Sequence, residues 1–126
     1  MIYKISGKVM RGDGYGKKLG FPTINLSRRN FLRMKEKPVF GVYAGRVRLS
    51  LSNTRCLTYK AGIVIGPLDK RGLPKIEAHL INYIGKIYGV KAVFEIEKFL
   101  RKFRKFDTEE ELITQIKKDL EICSQA

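Results

Sequence analysis

The residues best suited to chemistry lie in one run, Gly12-Asp13-Gly14-Tyr15-Gly16-Lys17-Lys18-Leu19-Gly20-Phe21-Pro22-Thr23-Ile24-Asn25. Four glycines within nine residues let a backbone take positive φ and approach a ligand closely. Successive amides in such a loop can cradle phosphate oxygens, and two lysines sit in its middle. Tight turns are the alternative reading. Two familiar phosphate motifs are excluded. A Walker A loop needs Gly, four residues, then Gly-Lys-Ser/Thr; here Lys18 follows Gly16-Lys17, and Arg11 occupies the first glycine's place. The dinucleotide pattern fails too, because its third glycine falls on Lys17 or Leu19.

Thr23 and Asn25 are two apart, so in an extended segment they point to the same side. A hydroxyl and an amide oxygen are hard ligands suited to Mg²⁺; the competing reading is that they only satisfy a turn. Glu77 and His79, the single histidine, also stand two apart on a predicted strand and share a face. Taken alone, Glu77 reads as a solvent-facing glutamate in a cross-strand ion pair. His79 reads as a structural hydrogen-bonder or a partner of Glu77. Arg101 belongs either to a ligand site or to a solvated basic run with Lys102, Arg104 and Lys105.

These residues need elements to position them. Ile2–Met10 reads as a strand ending at the glycine cluster. Val47, Leu49 and Leu51 alternate with Arg46, Arg48 and Ser50, the period of a half-buried strand. Ala61–Ile65 is a short apolar run that Gly66-Pro67 should stop. Ile76, Ala78 and Leu80 alternate with Glu77, His79 and Ile81, and Val90, Ala92, Phe94 and Ile96 do so with Lys91, Val93, Glu95 and Glu97. Ser27–Pro38, basic and ended by proline, reads as a flap or surface loop. Thr108 to Glu111 forms a predicted capping box, Thr108 as N-cap and Glu111 returning to its amide. Leu112, Ile116 and Leu120 then mark one face of an amphipathic helix of about four turns. Several short strands followed by one helix predict a closed or nearly closed antiparallel barrel with the helix packed on it.

At 126 residues the chain is sized for one domain, residues 1–126, with a core that needs no disulfides. Cys56 and Cys123 have no metal-ligand spacing and read as reduced thiols. No apolar run approaches the ~18 residues of a membrane span, and the N-terminus reaches Gly7 too soon for a signal peptide. A soluble, cytoplasmic, monomeric protein is the expectation. The formal charge of +14 favours anionic partners without choosing among them.

The run Gly7-x-Val9, then Gly14-x-Gly16-Lys17-x-Leu19-Gly20-Phe21-Pro22-Thr23-x-Asn25, closely resembles the signature of the riboflavin kinase family. Gly41-Val42-Tyr43-Ala44, Glu77-Ala78-His79-Leu80, Tyr88-Gly89, Leu100-Arg101 and Phe106-Asp107 with Asp119 resemble its later motifs, in order over nearly the whole chain. Ile24 stands for the usual alanine, Phe103 for a frequent acid and Asn82 for a common Asp.

The resemblance implies a mainly β fold: a six-stranded antiparallel Greek-key barrel with a C-terminal helix. It implies transfer of the γ-phosphoryl group of ATP to the 5′-hydroxyl of riboflavin, giving FMN. Gly14, Gly16, Lys17, Lys18, Gly20 and Pro22 would line the nucleotide phosphates. Thr23 and Asn25 would hold Mg²⁺, Glu77 would be the base, and Arg101 and Phe106 would contact the flavin. A fused FMN adenylyltransferase needs a His-x-Gly-His motif that one histidine cannot supply, so this chain is expected to make FMN and not FAD. The rival class is a non-catalytic basic barrel binding single-stranded nucleic acid through Phe31, Tyr43, Tyr83 and Phe103. Pro22-Thr23-x-Asn25 together with Glu77 argues against it.

Overall fold

The computed structural model describes residues 2–11, 15–18, 20–83 and 87–126. Six strands form: β1 (Tyr3–Met10), β2 (Ile24–Leu26), β3 (Gly41–Ser50), β4 (Cys56–Leu68), β5 (Pro74–Leu80) and β6 (Lys91–Arg101). They close into a barrel in the order β1-β2-β5-β4-β3-β6, every pairing antiparallel. Strands β3, β4 and β5 follow one another as a meander and β6 returns beside β3, which is a Greek key. Closure runs through the short β2, which joins β1 to β5 by two register pairs on each side. Among the described residues no helix is long and apolar enough to cross a membrane.

The alternation seen in the sequence fills the interior. Ile76, Ala78 and Leu80 point inward, as do Ala92, Phe94 and Ile96, all buried. Small barrels have just enough room for such side chains, so the centre is packed and the ligand surfaces lie outside it. Strand β2 is short, yet it fixes the geometry of the site: Asn25 pairs with Met10 on one side and with Glu77 on the other.

Two glycines let neighbours approach. At Gly45 an added Cβ would run into the Glu95 carbonyl oxygen, where β3 and β6 shift register. At Gly62 it would stand 3.1 Å from the Leu120 side chain, so the bare backbone of β4 allows close packing by helix α2 (Glu109–Gln125). The cap of α2 forms as predicted on one arm: Thr108 Oγ1 accepts from the Glu111 amide at 3.2 Å. The other arm differs. Glu111 accepts from the amide of Asp107, not Thr108, at 3.3 Å. Near the end of α2, Cys123 is buried against β3; burial and the Asp119 carboxylate push its thiol up to about 11, so it stays protonated and unreactive at neutral pH. Cys56 is exposed, and both cysteines are free.

Three local expectations are corrected. Gly66-Pro67 does not end its strand; β4 runs on to Leu68 through an irregularity between Ile65 and Leu68. Leu51 is exposed just past the end of β3, where its amide donates to Arg55 and starts a turn. Ser27–Pro38 is no simple surface loop. It contains a 3-10 helix, Arg28–Arg33, that buries Asn30 and Phe31, and Met34 follows them into the core. Phe31 and Met34 of this basic stretch pack into the core while Leu32, Arg29 and Arg33 are exposed.

Candidate active site

Strand β5 carries Lys75, Glu77 and His79 on its outer face, opposite the buried Ile76, Ala78 and Leu80. Glu77 is mostly sheltered, with 18% of its side chain exposed. Its Oε2 accepts from Thr23 Oγ1 at 3.3 Å and lies 3.5 Å from Lys75 Nζ. His79 Nδ1 lies 2.7 Å from the Pro22 carbonyl oxygen, and Phe21 sets its ring edge-on to the imidazole. His79 therefore ties down the residues leading into Thr23 and is a structural hydrogen-bonder, one of its two expected roles.

Between this face and α2 lies a cleft of about 350 Å³. Thr23, Lys75, Glu77 and His79 form its polar side. Phe103, Phe106, Leu112, Ile116 and Leu120 form an apolar wall opposite. The predicted apolar face of α2 is thus spent largely on the cleft. A hollow of this size with an apolar wall and a few convergent polar groups is the usual form of a small-molecule site.

Arg101, at the end of β6, is not on a solvated edge. Its Nε donates to both Asp119 oxygens at 3.2 and 3.0 Å, and its Nη2 lies 2.9 Å from Oδ2. Gln115 donates to Asp119 at 2.9 Å and accepts from Arg104 at 2.8 Å. The Arg104 guanidinium sits 4.7 Å from the centre of the Phe106 ring, and that of Arg101 at 5.8 Å. This network locks α2 and its lead-in to β6, and with them the apolar wall. Phe106 and Arg101 both line the cleft.

Thr23 and Asn25 line different hollows. Thr23 precedes β2 and lines the first cleft, whereas Asn25 lines a second hollow of about 470 Å³ with Arg11, Arg28, Arg29, Arg71 and Lys75. Both nevertheless flank Glu77, one by a hydrogen bond and one by register. Thr23 and Asn25 thus set two hard oxygen donors beside Glu77, a donor set that fits Mg²⁺, which takes few protein ligands and completes its shell with phosphate and water.

Of the glycine-loop residues, Gly14 lies outside the described residues. Gly16, Lys17 and Lys18 fall in a one-turn helix, α1 (Tyr15–Lys18), with both lysines exposed. Gly20 has φ of +91°, a value that favours glycine, and Pro22 is exposed beside Thr23. Asn82, noted for replacing an Asp, has φ of +63°, a conformation both residues tolerate. The nucleic-acid reading finds no support: Phe31 and Tyr43 are buried in the core and cannot stack on bases.

The family described as Flavokinase (riboflavin kinase) matches residues 1–126. The chain belongs to the riboflavin kinase family. The Haemophilus influenzae bifunctional riboflavin kinase/FMN adenylyltransferase is 31% identical over 127 residues, covering 94% of this chain and 37% of its own. The chain thus spans little more than a third of that relative's length. The riboflavin kinase of Trypanosoma brucei superposes with a TM-score of 0.67 at 18% identity, over 98% of this chain and 78% of its own. A Streptococcus pneumoniae chain named a macrolide-efflux protein superposes with 0.79 at 24% identity, over 98% and 38%. Both superpositions establish the fold of this chain and nothing more. Lys75 went unnoticed in the sequence although the period of two places it beside Glu77; Gln115 could not be found, because its partners are distant in sequence.

Proposed function

We propose that this chain transfers the γ-phosphoryl group of ATP to the 5′-hydroxyl of riboflavin, forming FMN and ADP. The observation that carries this reading is the cleft itself. An apolar wall suited to a flat aromatic ring faces a strand that presents a carboxylate, Glu77, hydrogen-bonded to Thr23. The ring system packs against the α2 wall and the hydroxyl-bearing tail reaches Glu77. The 5′-oxygen attacks phosphorus with a lone pair as its O–H proton passes to the Glu77 carboxylate. The bond from phosphorus to the bridging oxygen breaks, and its electron pair leaves with ADP. Glu77 lies on the outer face with one hydrogen-bonded oxygen, so its proton can return to water after transfer. Thr23 and Asn25 would hold Mg²⁺, which offsets charge on the phosphates when bound. The exposed Lys17 and Lys18 would meet the phosphate chain.

Purified protein with riboflavin, ATP and Mg²⁺ should yield FMN, and excess ATP should give no FAD from these 126 residues. Absence of FMN with every triphosphate and divalent metal tried would overturn the reading; formation of FAD would refute the exclusion drawn from the single histidine.

Thr23→Ala and Asn25→Ala should each raise the Mg²⁺ concentration needed for half-maximal rate by roughly tenfold, the lower end for a disturbed metal site. Neither side chain is in the core, so melting temperature should hold. A magnesium titration that leaves both variants on the wild-type curve would remove them as ligands.

A further inference from the structure

We propose that Lys75 is a catalytic cation of the same site, contacting the phosphoryl group as it passes from ATP to riboflavin. This rests on the kinase reading above and adds a residue to it. Among the described residues, Lys75 alone lines both the cleft that holds Glu77 and the hollow that holds Asn25. The acceptor hydroxyl is activated in the cleft that holds Glu77 and Thr23, and Asn25, the other candidate ligand of the metal on the phosphates, lines the second hollow. The group in transit has to cross the boundary between them, and Lys75 marks that boundary.

The strand geometry places it there. Lys75 is two residues before Glu77, so the pleat sets both on the outer face of β5, with buried Pro74 and Ile76 fixing the backbone between them. Its Nζ lies 3.5 Å from the Glu77 oxygen that also accepts from Thr23. Before substrates bind, the ammonium faces the carboxylate. As phosphoryl transfer proceeds, negative charge spreads over the three equatorial oxygens of the group in flight, and Glu77 loses its own charge on taking the proton. Both changes favour moving the Lys75 contact from Glu77 to a phosphoryl oxygen. Lys75 only donates hydrogen bonds and the proton still passes from the 5′-hydroxyl to Glu77, so the balance of the transfer is unaltered. The stem is largely covered, with 23% of the side chain exposed, which limits how far the ammonium has to move.

The test compares Lys75→Met, which keeps the stem and removes the charge, with Lys75→Arg, which keeps the charge. With riboflavin and MgATP saturating, Lys75→Met should lower kcat about 100-fold, the usual scale for one preorganised donor to a transition state. Its KM values should stay within a few-fold, and Lys75→Arg should recover most of the rate. With MgADP, riboflavin and aluminium fluoride as a mimic of the group in flight, wild type should form the complex and Lys75→Met should not. Riboflavin binding alone, followed by flavin fluorescence, should be unchanged. A lysine that merely braces Glu77 would move melting temperature and riboflavin affinity together and leave aluminium fluoride binding intact, which would overturn the proposal, as would kcat within about threefold of wild type. Wild-type protein that forms no FMN would instead overturn the kinase reading on which it rests.

Discussion

Glu77→Gln should lower kcat by roughly two or more orders of magnitude, the usual scale of a lost general base. Riboflavin and nucleotide should still bind within a few-fold. Glutamine keeps the length of the side chain and leaves a carbonyl oxygen to accept from Thr23, but it cannot take a proton at neutral pH. The fold should tolerate the change, because Glu77 is on the outer face of β5 and the core depends on Ile76, Ala78 and Leu80. What is lost is a partly exposed contact with Lys75, and such pairs contribute ~0–1 kcal/mol. If the carboxylate served only as that pair, the result would reverse: a small drop in melting temperature with near-normal turnover. Measuring kcat and thermal unfolding on this one variant separates the readings, and kcat within about threefold of wild type would remove Glu77 as the base.

The parts of the site that could be read ahead of the structure are those whose partners are near in sequence. Glu77 faces the cleft because its neighbours Ile76 and Ala78 alternate inward, and two residues on each side suffice to show it. The cap at Thr108 and the apolar stripe of α2 are equally local. Barrel closure rests on the same signal repeated strand by strand. What stayed hidden depends on contacts across the chain. Arg101 and Asp119 are 18 residues apart, and nothing in the basic run around Arg101 distinguishes it from Lys102 until α2 folds back. That Thr23 and Asn25 line different hollows is not readable from their spacing of two; Asn25 is set beside Glu77 by the pairing of β2 with β5, and Thr23 by a side-chain hydrogen bond. Ser27–Pro38 misled by composition: its arginines dominate the reading, while Phe31 and Met34 carry the packing.

The Arg101–Asp119 pair should separate stability from flavin recognition. Asp119 is nearly fully buried, with 8% of its side chain exposed, and Arg101 retains 19%. Asp119→Ala leaves a sheltered guanidinium without its counter-charge and strips Gln115 of its acceptor. Removing one partner of a buried pair costs about 3–5 kcal/mol. Because Arg101 keeps some contact with water, a loss near the lower figure is expected, or roughly 10 °C in melting temperature for a chain of this size. The riboflavin KM should rise with it, since Phe106, Leu112 and Ile116 lose their anchor to β6. Replacing both charges, as Arg101→Met with Asp119→Leu, tests what each contributes. A buried pair exchanged for apolar groups of similar volume is often neutral or stabilising, so the double variant should regain stability to within about 1 kcal/mol of wild type. If Arg101 also touches the flavin, as its place in the cleft implies, the riboflavin KM should stay at least tenfold high in that stable double variant. Recovery of both properties together would make the pair a fastener for α2 and withdraw Arg101 from the flavin site; recovery of neither would show that the ion pair, not the filled space, holds the helix.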